Sequence, residues 1–373
     1  MDYTIKQLIQ LCKDQNIKGY SGKKKEDIMK LLGIVNIVKS ISTSTSIPII
    51  PVINSDLNMI DLFAGTGAFT LAFQSNAVNI VFGNDMVEHS KKIYDANFNH
   101  KLTLKNINDI KVEDIPAHDI LTGGFPCQPF SIAGLQEGFK DERSNVFWKI
   151  LSIIDHHQPK CVILENVKNL VSHDEKKTFT TIKGNLEKRG YHICCKILNT
   201  ADITGIPQHR ERIYIVCIKS KQVFDKFSLD FPKIEKKKIS EFLETYNDNI
   251  LIPSKYYYTD KSTTWPLVKS SVIKKDKIYQ YRRVYVRENK SSECPTLTAN
   301  MGSGGHNVPI ILDDKGIRKL TPRECFNLQG FPSSYKLPAL SDSSLYKLAG
   351  NAVSVPVVKL IANRIIPLLQ EYA

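Results

Sequence analysis

From Asn58 onward, short apolar runs alternate with stretches whose apolar residues recur at helical spacing. "NMIDLFAG" reads as a strand running into a glycine turn, and "AFTLAFQSN" as the helix after it. "NIVFGND" is a second strand that ends on an acid. "HDILTGG", "CVILENV" and "RIYIVCI" read as further strands, separated by helical stretches such as "SNVFWKILSIIDHH". This alternation predicts an α/β fold of Rossmann-like type, a mostly parallel sheet with helices on both faces. Ligands of such sheets bind beyond the carboxyl ends of the strands.

The pattern changes twice. Residues 221–317 are basic, tyrosine-rich and irregular, which predicts a smaller β-rich domain, and 318–373 return to a turn and a long apolar helix. Before the alternation, residues 1–34 read as two short amphipathic helices around "NIKGYSGKK", with seven lysines against four acids. They resemble the SAP-type helical hairpin, a small DNA-binding unit. Residues 35–56, with "SISTSTSIPIIPVINS", read as a linker. The catalytic domain is then expected over 57–220.

Charge and cysteine usage sharpen the picture. The formal net charge is +13, and residues 233–290 hold 14 Lys and Arg against 7 Asp and Glu, interleaved with tyrosines. Positive charge mixed with aromatics points to a nucleic-acid partner. Eight cysteines with no CxxC pair argue against a disulfide framework or a zinc site, so no metal is expected. Apolar runs such as "CVIL" and "IYIVCI" are too short to span a bilayer, and lysines and aspartates interrupt the start of the chain. An intracellular, cytoplasmic protein is expected.

The chemistry collects at the strand ends. Gly65 and Gly67 follow the first strand, and Asp85 ends the next, placed to accept from ribose hydroxyls. A GxGxxG fingerprint is absent because position 70 is Thr, which disfavours NAD or FAD and leaves room for another adenosine-containing cofactor. "GGFPCQPFS" places Cys127 between Pro126 and Pro129 on a stiff loop, an unusual setting for a core cysteine. Glu165 ends a further strand, and Arg210 and Arg212 open another. A thiol, a carboxyl and guanidiniums on one rim suit methyl transfer to carbon 5 of cytosine. A thiolate adding to carbon 6 makes that carbon nucleophilic, and a carboxyl at ring nitrogen 3 stabilises the developing charge.

"DLFAGTG", "GGFPCQPFS", "ENV", "QHRERIYIV", "LTPRECFNLQGFP" and "GNAVSVPV" stand in the order that resembles cytosine-5 DNA methyltransferases of the bacterial restriction–modification type. The resemblance runs from about residue 57 to 373. It implies an S-adenosyl-L-methionine-dependent domain joined to a smaller target-recognition domain over 221–317. It implies Cys127 as nucleophile, Glu165 as partner of ring nitrogen 3, and Arg210 and Arg212 as positioning groups. The cofactor would meet Phe63, Ala64, Gly65, Thr66, Gly67, Asp85, Met86, Asn106, Ile107, Gly124 and Pro126, with Gly350, Asn351 and Ala352 closing the site. Asp109 competes with Asn106 for the adenine contact. Gln128 and Ser131 would touch the DNA backbone, and "SIAGLQEGFKDERSN" resembles the family's mobile loop. Base flipping requires groove contacts, for which Arg282, Arg283 and Arg287 are the candidates.

The implied partner is double-stranded DNA, bound by a monomer and protected from a cognate restriction endonuclease. Two other readings stay open at this point: a tRNA cytosine-5 methyltransferase, and an inactive DNA-binding homologue. The bases read are not legible.

Overall fold

The computed structural model describes residues 22–24, 57–74, 76, 78–126, 145–244, 252–282, 284–289, 291–303 and 308–372. The chain divides into two compact units, Met1–Val52 and Ile53–Ala373. Every element named below belongs to the second. Apart from residues 22–24, the helical hairpin and linker expected over 1–56 lie outside the described residues.

The main sheet has seven strands: β1 (Asn58–Leu62), β2 (Asn79–Asp85), β3 (Thr103–Leu104), β4 (Ile120–Gly124), β5 (Cys161–Val167), β6 (His192–Asn199) and β7 (Glu211–Ile218). Their order is β3-β2-β1-β4-β5-β7-β6. The first five pair in parallel, whereas β7 runs antiparallel between β5 and β6. The chain leaves β1 toward β2 and returns on its other side at β4, so the topological switch falls between β1 and β4. A crevice at their carboxyl ends follows from that reversal.

Both faces of the sheet are apolar, which is why the strands read as continuous hydrophobic runs. Met59, Ile163 and Tyr214 face one core, under helices α1 (Ala68–Gln74) and α10 (Val355–Tyr372). Ile60, Leu164 and Ile215 face the other, under α3 (Asn145–His157) and α4 (Lys177–Glu187). Helices α2 (Glu88–Asn97), α5 (Thr200–Thr204) and α6 (Lys221–Lys226) complete this part. By length and apolarity one helical stretch among the described residues, Asp342–Tyr372, could cross a bilayer, but 61% of its apolar window is buried. Within it Val357, Val358, Ile361, Ile365, Ile366 and Leu369 pack into the core. Each such side chain stabilises the fold by roughly 1.5–3 kcal/mol.

A carboxylate sits in the apolar interior behind the glycine turn. Asp61 on β1 is fully buried, accepting from Thr70 N (3.3 Å), Thr70 Oγ1 (2.9 Å) and Thr122 Oγ1 (3.0 Å). It fixes α1 and β4 to β1 directly behind the glycine turn. Burial pushes its pKa up to about 7 against those hydrogen bonds. The folded state therefore holds this proton more tightly than the unfolded chain does. Stability from this group is fully present below the ordinary aspartate range and is lost as pH rises to about 7. The urea midpoint is expected to fall between about pH 4 and about pH 7, and Asp61→Asn to flatten that fall.

The second, smaller sheet holds β8 (Tyr279–Arg282), β9 (Tyr285–Glu288), β10 (Ile310–Leu312) and β11 (Ile317–Lys319) in the order β11-β10-β8-β9, all antiparallel. Helix α7 (Trp265–Ser271) covers it, with Val268, Val272, Tyr279, Ile310 and Ile317 as its core. Helix α8 (Pro322–Leu328) follows, and "TPRE" explains where it starts. Pro322 sits in the first turn, Thr321 Oγ1 accepts from Glu324 N, and Glu324 Oε2 accepts from Thr321 N. Arg318 on β11 donates to both Glu324 oxygens at 2.8 Å and to Asp313, joining sheet and helix through a buried ionic group. Helix α9 (Asp342–Asn351) then leads to α10.

Candidate active site

The turn after β1 is strained where a ligand would approach. Phe63 adopts φ 54°, in the left-handed region where non-glycine residues rarely sit. Gly67 has φ 69°, and a Cβ there would lie 2.3 Å from the Phe98 ring. Only glycine lets this turn close against α2. Thr66 has its Oγ1 buried without a hydrogen-bond partner, while its carbonyl accepts from Tyr335 Oη at 2.5 Å. Asp85, ending β2, accepts from Gly65 N (2.9 Å) and Val87 N (2.8 Å), so the backbone fixes its rotamer. The Met86 amide and the Ser90 hydroxyl also donate toward it. Met86 beside it is 67% exposed.

The next lobe of the crevice is built less directly. Lys105 N donates to Asp85 O, which places Asn106 one residue beyond the end of β2. Asn106 caps a short 3-10 turn, its side chain accepting from Asn108 N at 3.1 Å; Ile107 is buried and Asp109 exposed. Asn106 is thus fixed at the rim while Asp109 faces solvent.

β4 and β5 bring the carboxyl in. Gly124 pairs with Glu165 across the parallel ladder, and a Cβ on Gly124 would lie 3.6 Å from Glu165 Oε2 and 3.4 Å from Val353. Asn166 Nδ2 donates to Phe125 O (2.9 Å), anchoring the segment that leaves β4 at Pro126. Cys127, Gln128 and Ser131 lie outside the described residues, as do residues 127–144 as a whole. Glu165 is 8% exposed and forms an ion pair with Arg212 Nε at 3.3 Å, yet its Oε1 has no hydrogen-bond partner. Burial pushes its pKa up, opposed by Arg212 and then Arg210.

The two arginines have different surroundings. A strand parallel to β5 would start at the far edge of the sheet. Because β7 is antiparallel, its first residues meet the carboxyl end of β5, with Arg212 opposite Val167. Arg212 reaches Glu165; Arg210 does not hydrogen-bond it. Arg210 is buried and donates to Leu297 O (3.0 Å), Gly350 O (3.2 Å) and Ala352 O (2.8 Å). It thereby clamps the connection between the second and third strands of the small sheet, and the end of α9, to the start of β7. Burial, then the Arg212 charge, pulls its pKa below the usual arginine range. Gly350 completes the joint: a Cβ there would stand 2.2 Å from the Thr298 carbonyl carbon. Ala352 is buried in this joint and Asn351 is exposed.

Sequence reasoning missed Gln208, which is fully buried between the same parts. Its Nε2 donates to Leu328 O (2.8 Å) and Gln329 Oε1 (3.2 Å), and its Oε1 accepts from Leu297 N (3.3 Å). The signal was present in "PQHRER": a neutral amide set among charges needs defined partners. Arg282 and Arg287 stand apart from the carboxyl, on the small sheet; Arg283 lies outside the described residues. They line a cleft of about 1020 Å³ together with His209, Thr296 and Thr298, so the small sheet and the approach to β7 share it. Among the described residues, no group of three His, Cys, Asp or Glu is placed to hold a metal ion.

The family model for C-5 cytosine-specific DNA methylase matches residues 57–367. The Type II methyltransferase M.Bsp6I of Bacillus sp. (strain RFL6) is 45% identical over 312 residues, covering 83% of this chain and 98% of that protein. The Type II methyltransferase M.HaeII of Haemophilus aegyptius is 40% identical, covering 82% of this chain and 92% of its own length. Among solved structures, the S. pombe Dnmt2 methyltransferase superposes with a TM-score of 0.65 at 24% identity, covering 84% of this chain and 99% of that one. The last likeness speaks to fold alone. This chain belongs to the C-5 cytosine-specific DNA methylase family. Its activity is DNA (cytosine-5) methylation, and its substrate is DNA.

Proposed function

We propose that this chain is the modification enzyme of a Type II restriction–modification system. It acts as a cytoplasmic monomer on a defined duplex sequence, with S-adenosyl-L-methionine as methyl donor and Cys127, Glu165 and Arg212 carrying the chemistry. The names of its relatives, Type II methyltransferases at 35–45% identity, support that role over a tRNA substrate. The observation that carries the mechanism is the Glu165 carboxyl. It is buried at a strand end and raised in pKa; its Oε1 is ion-paired with Arg212 but makes no hydrogen bond, and its Oε2 faces Gly124. A buried polar atom without a partner has a desolvation cost that a ligand hydrogen bond would relieve.

The residues around the glycine turn fit the donor. Thr66 Oγ1 is an orphaned buried hydroxyl, Asp85 ends β2 where a carboxylate would meet ribose hydroxyls, and Met86 offers an apolar surface for an adenine. When bound, S-adenosylmethionine supplies an electrophilic methyl group on a sulfonium. Gly65 and Gly67 shape the turn, Phe63, Ala64, Gly124 and Ala352 wall the crevice, and Asn106 and Ile107 bound the adenine side. Pro126 leads from that wall to the nucleophile, and Asn351 stands at its outer rim.

The Cys127 thiolate adds its lone pair to carbon 6 of a flipped cytosine. The electrons of the 5,6 double bond are thereby released onto carbon 5, which takes the methyl group. Glu165 donates to ring nitrogen 3 and stabilises the charge that collects there. Loss of the carbon 5 proton restores the double bond and expels the thiolate. Arg212 orients Glu165, while Arg210, bonded to three carbonyls, holds the recognition segment in register. Gln128 and Ser131 contact the DNA backbone near the target. Bisulfite sequencing of DNA from a host expressing the chain tests this reading. It is expected to show 5-methylcytosine at one recurring sequence; unconverted cytosines scattered without a shared sequence, or none, would contradict it.

A further inference from the structure

The outward face of the β8–β9 hairpin carries an arrangement that the mechanism does not use. Gln280 lies opposite Arg287 in the ladder, and Arg282, opposite Tyr285, shares the same face two residues along. Gln280 Oε1 accepts from Arg287 Nη2 at 2.8 Å and from Arg282 Nη2 at 3.1 Å. Both neighbours can only donate, so the amide has one possible orientation, oxygen toward the arginines and nitrogen away. Among the described residues, neither arginine has a carboxylate partner and the amide nitrogen has none of any kind. All three side chains line the cleft shared with the approach to β7.

Two guanidiniums gathered on one neutral oxygen repel each other, and nothing on this face offsets their charge. The arrangement suits a polyanion carrying further acceptors. It also has a definite hydrogen-bonding character. With its carbonyl occupied, Gln280 presents N–H groups alone, and each guanidinium keeps four of its five. An ordinary glutamine would present an acceptor and donors and so match adenine. This one does not. In the major groove, guanine presents two acceptors, N7 and O6, and no donor; adenine and cytosine each present an amino group, and thymine a single acceptor, O4, beside a methyl group. Donors facing those amino groups would be left unpaired.

We propose that Gln280 is a specificity-determining residue, and that with Arg282 and Arg287 it forms a donor-only face that reads guanine in the recognition sequence. The inference rests on the proposed duplex-DNA function, and it deepens that reading by naming what the small sheet selects. Tyr285, half-exposed on the same face, supplies an aromatic edge next to the reader. The opposite face of the hairpin, with Tyr279, Tyr281 and Val286, is packed on the small core, so the reader stands on a supported strand pair.

The test is selection of full-length protein complexes from a duplex library randomised around one cytosine, followed by sequencing of the bound fraction. Wild type is expected to prefer guanine at one or more positions. Gln280→Glu still accepts from both arginines but has no N–H to offer. It is expected to lower the guanine preference at a single position by about 10- to 100-fold, with other positions unchanged. Gln280→Met, which also frees the arginines, is expected to weaken preference at that position and at its neighbours.

A uniform loss across all sequences would mean phosphate contact and overturn the proposal. So would an unchanged profile, a change at a base other than guanine, or a wild-type profile with no base preference. Because selection needs no methyl transfer, the two readings fail separately. Selective binding that changes with Gln280→Glu, without any 5-methylcytosine product, would sink the proposed function and leave this inference standing.

Discussion

Replacing Cys127 by alanine is expected to lower methyl transfer by at least ~10⁴-fold, the order of loss when a covalent nucleophile is removed. The physical reason lies in the substrate. Carbon 5 of cytosine is a poor nucleophile, and orientation by the remaining residues cannot supply the electron pair that sulfur provides. Binding of S-adenosylmethionine should persist in this variant, because the turn at Gly65–Gly67 and the Asp85 carboxyl are built by β1, β2 and α2. Duplex affinity should persist as well, since the small sheet with Arg282 and Arg287 has its own core. The check is single-turnover methyl transfer, with cofactor and duplex binding measured on the same preparation. Loss of cofactor binding together with activity would point to a misfolded site.

Glu165→Gln is expected to cost about 10²- to 10⁴-fold in kcat, the range for a positioned proton donor. Its pH dependence separates it from a packing defect. Burial raises the Glu165 pKa, and Arg212 and Arg210 only partly offset this. The carboxyl therefore holds its proton to higher pH than an exposed glutamate, and the protonated form is the one that donates to ring nitrogen 3. Wild-type kcat is expected to fall as pH rises through that raised pKa. An amide does not titrate, so the variant should lack this limb while remaining slow. A limb that persists unchanged in Glu165→Gln would assign the ionisation to another group. Asp61, whose pKa burial raises to about 7, would be the first to examine.

Much of this architecture was legible because both faces of the sheet are buried. Strands such as "NIVFGND" and "CVILENV" carry the apolar runs IVF and CVIL, and β2 and β5 match the two segments residue for residue. Strand β6 was missed for the converse reason. It lies at the sheet edge, is only partly buried and carries Lys196 among its cysteines, so no period marks it. The reversal of β7 was not legible either, because an apolar run has no intrinsic direction. That reversal decides the site, since it carries Arg210 and Arg212 to the end of β5 where Glu165 waits.

Residue types and spacing identified the chemical groups, but not their partners. Arg210 and Arg212 are two positions apart and look equivalent in sequence. In the fold one holds three backbone carbonyls and the other the carboxyl. For contacts that join residues far apart in the chain, such as Gln208 to Gln329 or Tyr335 to Thr66, the local sequence does not name the partner. Gln280 is a similar case: its meaning depends on two arginines that reach it only once β8 and β9 pair.

A duplex carrying 5-fluorocytosine at the methylated position tests the covalent step most directly, because fluorine cannot leave as the carbon 5 proton does. Incubated with S-adenosylmethionine, the enzyme is expected to form a denaturation-resistant one-to-one adduct whose modified peptide contains Cys127. If the same enzyme methylates the ordinary duplex yet leaves no adduct on the fluorinated one, or if the adduct maps to another residue, the thiolate mechanism is contradicted.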